Sequence, residues 1–71
     1  MLIRGGILDI EEILRTALKL EEKAIEFYSK MAEKSDDPEV KELLELLISQ
    51  EVEHKKMISD RLKAIEFLKR R

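Results

Sequence analysis

Apolar residues recur along this chain in alternating steps of three and four, over two segments parted by Ser35-Asp36-Asp37-Pro38. The first stripe runs through Ile10, Leu14, Ala17, Glu21, Ala24, Tyr28 and Met31. The second runs through Val40, Leu44, Leu47, Glu51, His54, Ile58, Leu62, Ile65 and Leu68. Such stepping keeps one side of an α-helix apolar, so the pattern predicts two long amphipathic helices. Asp9 suits the N-cap of the first helix, Glu12 completes a capping box, and Leu8 with Ile13 can form a hydrophobic staple. This helix is expected to end near Lys34. Pro38 fits the first position of the second helix and Asp37 the cap before it, while Lys69, Arg70 and Arg71 complement the negative end of its dipole. The expected fold is all-α: an N-terminal arm over residues 1–8, then an antiparallel two-helix hairpin over residues 9–71.

Three polar residues interrupt the stripe: Glu21, Glu51 and His54. Glu21 precedes the middle of the turn by about 15 residues, and Glu51 and His54 follow it by about 16 on average. At ~1.5 Å rise per residue, antiparallel pairing brings all three to one level of the seam. A buried carboxylate without a partner costs several kcal/mol, so these groups need each other or a cation. One reading is an ion pair of His54 with Glu21 or Glu51 that fixes helix register. The other is metal ligation, since residues at i and i+3 share a helix face and Glu21 contributes from across the hairpin. An open two-helix layer leaves such a metal half exposed. A twofold homodimer would bury the second face of each hairpin as a four-helix bundle and gather four Glu and two His. Four carboxylates would then balance two divalent ions.

Composition narrows the setting. In 71 residues there is room for one small domain, and chains this short commonly rely on disulfides, metals or partner subunits. Cysteine is absent, which removes disulfides and thiolate metal sites. Charged residues make up 42% of the chain, yet the net charge is only -2, so acids and bases interleave on solvated helix faces. That balance argues against a nucleic-acid partner. The abundance of Lys and Glu leans toward a thermophilic source. No apolar run approaches the ~18 residues of a membrane span, and MLIRGGIL is too short for the apolar core of a signal peptide, so a cytoplasmic protein without a membrane partner is expected. Glu22 and Glu53 neighbour the candidate ligands but point off the seam, and Ser35-Asp36-Asp37 reads as cap and turn rather than a calcium loop. Met31 and Met57 read as packing residues.

The stretch EEKAIEFYSKMAEKSDDPEVKELLELLISQEVEHKKM resembles one half of a rubrerythrin-type, ferritin-like di-iron protein. Glu21 and Tyr28 match a Glu seven residues before a Tyr on one helix, and Glu51 and His54 match Glu-x-x-His on the next. The resemblance covers roughly residues 9 to 68. It implies Glu21 and Glu51 as iron-ligating or bridging carboxylates, His54 as a terminal nitrogen ligand and Tyr28 as a hydrogen-bond donor behind them. The chain departs from ordinary rubrerythrins in having one helix pair and no cysteine, and is more similar to the short encapsulated ferritins, in which two copies complete each iron site and dimers can build higher oligomers.

The resemblance implies a di-iron site, two ions per dimer, whose Fe(II) is oxidised by O2 or H2O2 in ferroxidase-like or peroxide-reducing chemistry. Zinc or manganese is a narrower alternative, because glutamate and histidine accept several metals. A reading from a different class is a non-enzymatic helical-hairpin interaction or assembly module, in which the polar seam residues only set register.

Overall fold

Two helices account for nearly all of the chain that the structure, a computed structural model, describes, namely residues 9–69. The predicted arm, Leu8 of the staple, and Arg70 and Arg71 lie outside the described residues. Helix α1 spans Ile10–Lys34 and α2 spans Pro38–Lys69. Both boundaries fall where the local chemistry puts them. Asp9 is extended and its carboxylate accepts from the Glu11 amide at 2.9 Å, satisfying a donor that the first turn cannot. At the other end Ser35 turns extended and its amide closes on the Ala32 carbonyl at 3.3 Å. The Ser35 hydroxyl then accepts from the Asp37 amide at 3.2 Å, and the Asp37 carboxylate caps α2 by accepting from the Glu39 amide at 2.9 Å. Pro38 sits at the first helical position, where its missing N–H costs nothing.

The hairpin is a single layer. Its extents are 50 × 25 × 12 Å. The shortest is about one helix diameter and the longest about the ~48 Å rise of a 32-residue helix. Packing runs along one seam. Leu44, 7% exposed, is the only buried apolar residue among the described residues. Leu14, Leu18 and Ile25 of α1 are half-buried against the stretch of α2 that carries Leu47, Ile48, Ile58, Leu62 and Ile65.

The expected stripe needs correction at its ends. Ile10, Met31, Val40 and Leu68 are exposed, while Leu18, Ile25 and Ile48, left out of the stripe, join the seam. A stripe read at 3.5 residues per turn drifts by ~20° per heptad on a helix of 3.6, which carries Met31 and Leu68 off the contact line. Ile10 and Val40 occupy the first turn of each helix.

The open end of the hairpin is closed by charge. Glu11, in the first turn of α1, is almost wholly shielded, and its carboxylate accepts from Lys69 at the end of α2 and from Arg15 at 3.3 Å. Arg15 also donates to Glu66 at 2.8 Å, so α1 is tied twice to the last turns of α2. The Lys69 hydrogen bond, with the Lys69 and Arg15 charges, holds the Glu11 carboxyl below the ordinary carboxylate range against the opposing effect of desolvation.

A carboxyl whose folded pKa is depressed adds stability above its unfolded pKa, and that contribution disappears as pH falls through the folded value. Thermal melts followed by circular dichroism should therefore show a loss of stability on acidification below the usual carboxylate range. The acid-dependent loss should be smaller in Glu11→Gln, and an identical pH profile in the two proteins would remove the clasp from this account.

Candidate metal centre

Glu21 projects from the middle of α1, and Glu51 and His54 project from one face of α2 one turn apart. Their ligand atoms lie within 4.8 Å of one another, the convergence expected from counting outward from the turn. His54 Nδ1 stands 3.0 Å from Glu51 Oε1 and 3.2 Å from Glu21 Oε2. Both ion-pair partners considered from sequence are thus present at once. The two carboxylates are largely sheltered, with side chains 18% and 20% exposed, whereas the imidazole is 58% exposed. His54 therefore stands at the rim of the seam and not inside it. On α2 it lies four residues from Gln50 and three from Met57, a step that turns it toward the outer face.

One atom is left over. Glu21 Oε2 is buried and makes no hydrogen bond, although Nδ1 lies at 3.2 Å. The imidazole nitrogen points at Glu51 instead, with which it has hydrogen-bond geometry. One ring nitrogen cannot serve two carboxylates in good geometry. A cation can, because ionic coordination does not depend on the direction of a single N–H bond. Two carboxylate oxygens and an imidazole nitrogen also form a donor set that suits iron, manganese or zinc. The residues present fit a metal ion.

The neighbours sort into distinct roles. Glu22 is joined to Lys55 across the hairpin at 3.3 Å, and Glu53 faces solvent. Tyr28 is half-buried two turns along α1 from Glu21, with its ring against Phe27 at 6.1 Å and an interplanar angle of 52°. Met57 is exposed. Lys55 was missed from sequence, and its only signal there is adjacency to His54.

A second apolar stripe borders the centre. Ile13, Leu20 and Phe27 recur every seven residues on α1, and Leu43, Leu46 and Met57 follow a similar course on α2; all six are 45–61% exposed. Leu43, Gln50, His54 and Met57 are separated by seven, four and three residues, so the imidazole belongs to this outer stripe of α2.

Comparison with known proteins agrees with this geometry. The rubrerythrin family profile matches residues 12–70. The chain belongs to the rubrerythrin family. A similar protein, described only as an uncharacterized protein, occurs in Archaeoglobus fulgidus; it is 50% identical over 60 residues, covering 84% of this chain and 94% of that one. No solved structure matches the chain significantly. The family assignment makes this a ferritin-like helical protein whose carboxylate–histidine group is a candidate metal centre. No helix among the described residues is long and apolar enough to cross a membrane.

If Glu21 is kept for ligation rather than folding, its removal should stabilise the metal-free protein. Glu21→Leu is expected to raise stability by about 1–2 kcal/mol, because replacing poorly satisfied buried polar groups by packed apolar ones is often favourable. Denaturant unfolding of both proteins in chelator measures the difference. A less stable variant would mean that the carboxylate holds the seam together.

Proposed function

We propose that this protein is a cytoplasmic homodimer whose two hairpins form a four-helix bundle around a di-metal carboxylate centre. Each copy contributes Glu21, Glu51 and His54. The observation that carries this reading is the buried, unbonded oxygen of Glu21 beside two further ligands from the opposite helix. The exposed stripe of Ile13, Leu20, Phe27, Leu43, Leu46 and Met57 supports the dimer, because the face it occupies is the one on which His54 emerges. Burying large apolar side chains contributes ~25 cal/mol per Å² removed from water, and a lone hairpin forgoes this on its outer face.

Membership of the rubrerythrin family makes iron the first candidate metal, with manganese or zinc as alternatives. An iron pair held by these residues would supply two electrons which, with two protons from solvent, would reduce H2O2 to two waters or O2 to H2O2, ferroxidase-like or peroxide-reducing chemistry. The residues' part is to bind and orient. Glu21 and Glu51 offer hard anionic oxygens that favour the more highly charged oxidised ion, and His54 adds a ligand without adding negative charge. The apolar stripe would exclude water from the centre once covered, which strengthens the interaction between the carboxylates and a cation. Tyr28 would serve as a hydrogen-bond donor near the ligands.

The rival reading, a non-enzymatic assembly module, draws on the contacts His54 makes with both carboxylates. The two readings diverge under substitution. Sedimentation of the wild-type protein should give a dimer, and anaerobic titration with Fe(II) should give close to two ions per dimer. At free metal ~100 times its dissociation constant, binding should add about 2.7 kcal/mol of stability. Glu51→Ala and His54→Ala should each abolish that gain and the absorbance change on adding O2 or H2O2. A wild-type protein that takes up no iron and melts at the same temperature with and without it would leave the assembly module as the better account.

A further inference from the structure

Glu21 and Glu22 are consecutive on α1, and His54 and Lys55 are consecutive on α2. The structure joins them in parallel, Glu21 to His54 at 3.2 Å and Glu22 to Lys55 at 3.3 Å. Consecutive residues on a helix point ~100° apart at almost the same height. The two links therefore grip the seam at one level from opposite flanks, with Glu51 between them. Lys55 is half-buried and its ammonium is held at the Glu22 carboxylate.

We propose that the Glu22–Lys55 pair is a rotational stop for α2, and that its task is to hold His54 at the open flank of the seam. The inference rests on the metal-centre reading given above. The turn restrains the helices at one end and the Glu11–Lys69 contact at the other, but neither restrains the rotation of α2 at its middle. The apolar seam there is thin, because Glu21 and Glu51 occupy the positions that would otherwise carry large apolar side chains. Turning α2 to draw His54 inward would carry Lys55 outward and break its link to Glu22. Glu22 and Lys55 are positioning residues and touch no metal in this scheme.

Charge and positioning make opposite predictions for one substitution. Lys55→Met removes a positive charge near a cation site, which by charge alone should tighten metal binding. Loss of the stop should weaken it instead. A surface ion pair of this kind has modest energy, so the expected loss is about 3–5-fold in Co(II) affinity, measured by calorimetric titration of the full chain with Co(II) alone. The double variant Glu22→Lys/Lys55→Glu keeps the net charge, reverses the pair and should restore affinity. In the metal-free protein, nuclear Overhauser contacts from the His54 ring to α1 around Glu21 should be present in wild type, stronger in Lys55→Met as the ring turns inward, and back at the wild-type intensity in the swap. Circular dichroism should give equal helicity for all three. Equal or tighter Co(II) binding by Lys55→Met, with the His54 contacts unchanged, overturns the proposal. If the wild-type protein fails to bind Co(II), the metal reading fails, and the ring contacts alone then decide whether Lys55 positions His54.

Discussion

At the centre of the hairpin a carboxylate oxygen of Glu21 is shut between two helices with no hydrogen bond. Charged groups leave water at a cost of several kcal/mol unless something equivalent replaces the solvent. Here the replacement is incomplete: His54 is near, but its hydrogen bond goes to Glu51. Everything else at this level of the seam is arranged around that deficit. Glu51 and His54 approach from the opposite helix, and Glu22 and Lys55 close the far flank. A fold selected only for stability would place leucine where Glu21 and Glu51 stand, as it does one turn before Glu51 at Leu47.

The same deficit explains how the remaining stability is distributed. A two-helix layer has one line of contact, and among the described residues Leu44 is the only apolar one it buries. The hairpin adds to it at the two ends, away from the centre. At the turn, Ser35 and Asp37 satisfy amides that the helices cannot. At the open end Glu11 gathers Lys69 and Arg15, while Arg15 reaches on to Glu66. These polar devices fix where the helices start and stop. They leave the middle free to carry ligands in place of packing.

Much of this was legible in the sequence because it rests on local chemistry or counting. Asp9, Asp37 and Pro38 mark helix ends through the donors they satisfy or lack, which does not depend on tertiary context. The meeting of Glu21, Glu51 and His54 follows from equal distances on either side of the turn, and survives an error of a residue or two. Exposure was harder to read. The spacing puts His54 in the seam, yet a stripe of alternating threes and fours has width, and the imidazole lies on its outer edge. Met31 and Leu68 drift off the contact line for a related reason, the mismatch between 3.5 and 3.6 residues per turn. The Glu11–Lys69 clasp was not legible, because residues 58 positions apart meet only once helix lengths and crossing are fixed, and long side chains adjust their reach.

The outward setting of His54 gains meaning from its surroundings. An imidazole 58% exposed on a lone hairpin leaves water to compete for both the ring and the cation. Its neighbours on that face of α2, Leu43 and Met57, are exposed apolar residues, which water does not stabilise. In the proposed bundle one event answers both problems: the copy that covers the apolar stripe also dries the rim on which His54 stands. Electrostatic attraction between ligand and cation rises as the effective dielectric falls, so the apolar contact and the metal contact reinforce each other across the same surface. That coupling supplies a physical reason for siting the only nitrogen ligand of the cluster on the stripe's edge, where the second copy would meet it, rather than in the depth of the seam.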